Sequence, residues 1–143
     1  MKLLLLALLL VCFSPKSGAA TPNIILFVTD DQSPIAGCYG HTDIKTPHLD
    51  SLAAEGTRFT HAFATTASCS ASRSVILSGL HNHRNGQYGH THAFHKFASF
   101  PAVAAVSLPL QMKQAGYRTA QIGKYHVAPV SVFEFEKRLA GNA

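Results

Sequence analysis

A chain of 143 residues with 12 basic and 7 acidic side chains carries a formal charge of +5, too mild a balance to select nucleic acid as a partner. Two of those bases, Lys2 and Lys16, belong to a leader, so the exported balance is 10 minus 7, or +3. No internal repeat, low-complexity tract or Gly/Ser linker divides the remainder, which excludes solenoid and array architectures and is long enough for one structural unit with a core.

The leader is residues 1–20. Met1-Lys2 gives a positive start, Leu3 to Phe13 an apolar stretch too short to cross a bilayer, and Ser17-Gly18-Ala19-Ala20 a small-residue cleavage region. The pattern predicts a signal peptide and an exported product, periplasmic or secreted, or lysosomal in a eukaryote. Cleavage removes Cys12 and leaves Cys38 and Cys69. In an oxidising compartment those two thiols can pair, so a disulfide between them stands as one alternative.

Asn23 to Thr29 is a continuous apolar run of strand length, as expected of a parallel strand covered on both faces. It stops at Asp30-Asp31. Adjacent carboxylates where a strand gives way to a loop are either turn formers or hard oxygen donors for calcium or magnesium. Thr46-Pro47 opens a helical pattern with Leu49, Leu52 and Ala53 on one face, closing at Gly56, and Arg58 to Phe63 is a candidate short strand.

Residues 69–80 read CSASRSVILSGL. Serines suited to capping precede and open this run, so a helix beginning near residue 70 and closing on Gly79 is expected. Cys69 then sits at a helix N-terminus, where unpaired N–H groups and the positive end of the dipole favour an anion such as sulfate. Arg73, four residues on, shares its face and can hold an oxygen of a nucleophile or substrate. The plain alternative is a small buried cysteine followed by a solvated arginine.

A polar, histidine-rich loop follows from His81 to about Phe100. His90, His92 and His95 have workable ligand spacings, which keeps open a non-catalytic transition-metal module. Ser107-Leu108-Pro109 restarts a helix ending at Gly116. Tyr117 to Ile122 is the next expected strand, delivering Gly123-Lys124-Tyr125-His126 to its far end. Lys124 and His126, two apart, fall on one face of an extended segment. There an ammonium can neutralise a sulfate oxygen and an imidazole can serve the leaving atom. Strands alternating with helices imply a three-layer α/β architecture, with binding groups beyond the carboxyl ends of the strands.

Asp30-Asp31, CSASR and GKYH, in this order and spacing, resemble the sulfatase family, and TPHLDSLAAEGTRFTHAF is similar to the family's stretch between the first two. Ala71 stands where many members have proline. The resemblance implies an alkaline phosphatase-like α/β/α fold with a mostly parallel sheet. It also implies oxidation of Cys69 to Cα-formylglycine by a formylglycine-generating or other maturing enzyme, and one divalent cation, calcium, held by Asp30, Asp31 and position 69. Arg73, Lys124 and His126 are then catalytic, Lys124 and His126 also binding substrate. The strings NGQYGHTHAFHKFASF and SLPLQMKQAGYRTAQIGKYHVAP resemble the sulfamidase branch, which implies a sulfated carbohydrate as substrate and removal of N-linked sulfate from glucosamine in glycosaminoglycans. Phosphodiesterase or phosphonate monoester hydrolysis is the alternative within the superfamily. Such enzymes run to several hundred residues, so residues 21–143 are expected to be the N-terminal part of the catalytic domain, inactive alone.

Overall fold

The computed structural model describes residues 21–92 and 94–140, and the leader lies outside them. Two units divide the chain, Met1–Asp31 and Gln32–Ala143. In the first, the expected strand over 23–29 does not form: the backbone has no ladder partner among the described residues, and Ile24, Ile25, Leu26 and Phe27 are exposed. The composition is that of a strand, but a strand exists only through its neighbours' hydrogen bonds. Among the described residues no helix is long and apolar enough to cross a membrane.

The second unit opens with a single 3-10 turn, Gly37–Tyr39, packed on helix α1, Pro47–Glu55. Pro47 starts the helix, where its missing N–H costs nothing, and Gly56 closes it. The expected apolar face is not buried; Leu49 and Leu52 are exposed. Polar bonds fix α1 instead. Thr46 Oγ1 accepts from the Gly37 N–H at 2.8 Å and donates to Asp50 Oδ1 at 3.0 Å, and that carboxylate accepts from the Cys38 N–H at 2.6 Å. Residues 58–63 form no strand, and Phe59 and Phe63 are exposed. The segment turns back on the 37–39 turn, where Arg58 donates to the Cys38 carbonyl and Tyr39 Oη to the Phe59 carbonyl.

Helix α2, Cys69–Ser78, starts and stops as the sequence predicts, and its C-cap Gly79 takes the left-handed conformation that a side chain resists. Its inward face is serine-rich: Ser70, Ala71, Ser74 and Ser78 are buried, while Ile76 is exposed. Serine can be buried here because its hydroxyl bonds back to the preceding turn, Ser74 Oγ to the Ala71 carbonyl at 2.7 Å and Ser78 Oγ to that of Ser74 at 2.6 Å. A single helical turn, α3, Asn82–Asn85, follows.

From α3 the chain runs through the histidine loop into a 3-10 helix, Pro101–Val106, and helix α4, Leu108–Gln114. Strand β1, Ala120–Gly123, pairs parallel with β2, Lys137–Ala140, with Ile122 opposite Leu139. Parallel neighbours need a long crossover, and residues 124–136 supply it. Its 3-10 turn, Val130–Val132, packs on the 101–106 helix. The core is Val103, Val127, Val132 and Phe133, flanked by Leu77, Leu80, Ala104 and Tyr125. Full burial of a valine or phenylalanine side chain stabilises by about 1.5–3 kcal/mol, so this small cluster anchors the crossover that carries Lys124 and His126. Helices around a parallel pair fit the α/β class.

Candidate active site

Cys69 is the first residue of α2, preceded by Ser68 in extended conformation. Cys38 and Cys69 are both free thiols, so the alternative disulfide is not formed. One turn along, Arg73 donates from Nη1 to the Lys124 carbonyl at 2.9 Å. That bond ties the signature helix to the chain leaving β1. It also brings the Lys124 ammonium back over the cysteine, with Nζ 3.7 Å from Sγ.

His126 has φ +51°. The segment after β1 is therefore kinked rather than extended, and the alternation argument does not hold. Tight turning, not a shared strand face, brings Lys124 and His126 to one place. His126 Nε2 lies 2.8 Å from His92 Nδ1, and its ring is nearly parallel to those of His92 and His90. Ligand atoms of Cys69, His90 and His126 all lie within 4.8 Å of one another. Partial burial, then the positive charge of Lys124, lowers the His126 pKa below the ordinary imidazole value; His92, His90 and Arg73 add to the effect.

A buried polar lattice holds these parts in register. Asn85 donates from Nδ2 to Ser74 Oγ at 3.1 Å and to the Leu80 carbonyl at 3.0 Å, and its Oδ1 accepts from the Gln87 N–H at 2.8 Å. Asn82 bonds the carbonyls of Ala71 and Gln87. Gln87 Oε1 accepts from Ser99 Oγ at 3.2 Å, and the Thr91 N–H donates to Ser70 Oγ at 3.2 Å, fastening the histidine loop beside the start of α2. Gly86 closes α3 at φ +89°, where an added Cβ would come within 2.9 Å of the Phe100 ring.

The structure thus brings Cys69, Arg73, Lys124 and His126 together. Asp30 and Asp31 end the first unit, exposed, with Asp31 at φ +50°. His90 and His92, which the sequence assigns to a rival metal loop together with His95, belong to the Cys69 cluster instead; His95 is exposed and stacks edge-on with Phe94. A helix N-terminus, an ammonium and an imidazole beside Cys69, with the Arg73 guanidinium on the Lys124 carbonyl, make a positive, hydrogen-bonding cradle for an oxyanion.

The sulfatase family profile matches residues 22–142. The chain belongs to the sulfatase family, with its alkaline phosphatase-like α/β fold. It is 46% identical over 114 residues to human N-sulphoglucosamine sulphohydrolase, which covers 80% of this chain and 22% of that protein. It is 39% identical over 118 residues to an N-acetylglucosamine-6-O-sulfatase of Bacteroides thetaiotaomicron, covering 81% of this chain and 20% of that protein. An N-acetylgalactosamine-6-O-sulfatase of the same bacterium is 34% identical over 125 residues, 85% of this chain and 24% of that protein. The chain therefore spans about a fifth to a quarter of the length of these relatives.

Proposed function

We propose that the protein is an exported sulfatase that removes sulfate from amino-sugar residues of glycosaminoglycans, with N-linked sulfate on glucosamine as its substrate. The observation that carries this reading is the convergence of Lys124, Arg73 and His126 on Cys69 at the start of a helix. The identity to an N-sulphoglucosamine sulphohydrolase supports the choice of substrate.

Sulfatases generally use a formylglycine and a divalent metal. Asp30 and Asp31 offer carboxylate oxygens from consecutive exposed residues, the hard donors that calcium prefers. A thiol at position 69 does not suit that ion, whereas the oxygen of a hydrated aldehyde does. Asp30, Asp31 and the converted residue 69 would hold the cation, which supplies charge compensation for an oxygen nucleophile at that position.

The chain's own groups do the rest. Lys124 sets its ammonium against the sulfuryl oxygens, whose charge grows as the bond to the leaving atom breaks. Arg73, through the Lys124 carbonyl, keeps that ammonium in place. Burial and the Lys124 charge disfavour the charged form of His126; when its Nε2 accepts from His92, Nδ1 carries the proton and donates to the leaving nitrogen or oxygen. The α2 N-terminus adds its N–H groups to the oxyanion. A formylglycine-generating or other sulfatase-maturing enzyme is the implied partner.

The test is an assay of the complete, matured protein on N-sulfoglucosamine, on 6-O-sulfated N-acetylglucosamine and on phosphate and phosphonate esters. Preferential release of N-linked sulfate is expected. Faster turnover of the phosphorus substrates would replace this reading with phosphodiester or phosphonate hydrolysis.

A further inference from the structure

We propose that before Cys69 is oxidised, its thiol, His90 and His126 form a binding site for a zinc-class transition-metal ion, distinct in donor chemistry from the carboxylate site of a calcium ion. One sulfur and two imidazole nitrogens are a donor set that zinc accepts and calcium does not. Their ligand atoms lie within 4.8 Å of one another. Tetrahedral zinc, with bonds of about 2.0–2.3 Å, separates its ligand atoms by about 3.3–3.6 Å, so small side-chain rotations close the site.

Unpartnered nitrogens are the second observation. Nδ1 of His90 and Nδ1 of His126 are both removed from solvent and have no hydrogen-bond partner, a state that costs free energy unless something fills it. The other nitrogen of His126 is occupied, Nε2 lying 2.8 Å from His92 Nδ1. When Nε2–H donates to His92, Nδ1 is left with a lone pair and His92 becomes the outer-shell group that orients a ligating imidazole. The same ring thus serves two states by exchanging tautomer. With sulfur at position 69 it is a ligand; after conversion the soft donor is gone and Nδ1 returns to the leaving group.

His95, whose spacing from His92 suggested a ligand, lies exposed outside the cluster. His126 enters from 34 residues beyond His92. Three protein ligands leave a fourth position open to water. Bound metal would hold the thiol out of reach of adventitious oxidation and alkylation until it leaves.

The experiment uses the complete protein produced without a maturing enzyme, equilibrated with zinc and then freed of excess. One zinc per chain is expected. Iodoacetamide labelling followed by peptide mass analysis should show Cys69 protected by zinc, while Cys38, a free thiol outside the cluster, reacts as before. Cobalt in place of zinc should give a thiolate-to-metal charge-transfer band. His126→Asn and His90→Ala should each abolish protection and band, His95→Ala should preserve both, and His92→Ala should weaken affinity by about tenfold or more, as loss of an outer-shell partner does. Absence of retained zinc, equal labelling of Cys69 with and without metal, or binding that survives His126→Asn and His90→Ala together would overturn the proposal. None of these readings uses sulfate release, so their failure leaves the sulfatase assignment standing, and loss of that assignment leaves the metal site standing.

Discussion

Asn85→Ala tests the lattice that keeps the signature helix aligned with the histidine loop. Asn85 is fully buried, and its amide is the partner of two main-chain groups, the Leu80 carbonyl and the Gln87 N–H, besides Ser74 Oγ. Ser74 keeps its own bond to Ala71 in the variant, so its hydroxyl is not orphaned. The two main-chain groups are. At about 1–3 kcal/mol for each buried group left unsatisfied, the expected loss is about 2–6 kcal/mol, with the lower half favoured because water can enter the space of the lost amide. With a urea m-value of about 1–3 kcal/mol/M, a loss of 3 kcal/mol moves the unfolding midpoint down by about 1–3 M. Urea titration followed by circular dichroism of the complete protein is the assay. Arg118→Ala, which removes only the exposed pair with Glu136, is the control and should leave the midpoint in place. A midpoint for Asn85→Ala that coincides with the control would refute the claim that the lattice, rather than the small apolar core, fixes α2 against the loop.

Arg73→Lys keeps the charge but loses the planar fork that reaches the Lys124 carbonyl. Losing a charge-assisted bond worth about 1.5–3 kcal/mol should lower kcat by about 10- to 100-fold with KM little changed, measured on desulfation. Gly86→Ala meets both a positive φ and the Phe100 ring, and should destabilise by more than about 1 kcal/mol in the same urea assay. His126 should titrate below the ordinary imidazole value by NMR in chelator-treated protein, since burial and Lys124 lower its pKa. The unfolded chain then binds more protons between the two values. Stability from this group is full above the ordinary imidazole pKa and is lost as pH falls through the lowered one. Chelation should abolish activity and calcium restore it, with Asp30→Asn and Asp31→Asn each raising the calcium required.

The bounds of α1, α2 and α4 were legible because proline, glycine and serine mark helix ends through local backbone requirements. The gathering of Cys69, Arg73, Lys124 and His126 was legible from motif order. Its geometry was not, because it depends on the kink at His126 and on the Arg73 bond across 51 residues. The inward face of α2 was not legible for a related reason. Ser70, Ser74 and Ser78 look solvated by composition, yet the first accepts from the Thr91 N–H and the other two bond back to helix carbonyls, so all three can be buried. The runs at 23–29 and 58–63 have strand composition, but pairing is a property of neighbours that no run contains. His90 and His92 were visible as a metal pattern, and only the return of the chain after β1 reassigns them to the cysteine.

Peptide mass analysis of position 69 in catalytically active protein tests the central claim most directly. The account predicts that the peptide has exchanged the elements of hydrogen sulfide for oxygen, leaving an aldehyde or its hydrate in place of the thiol. Full activity with an unmodified thiol at Cys69 would contradict it.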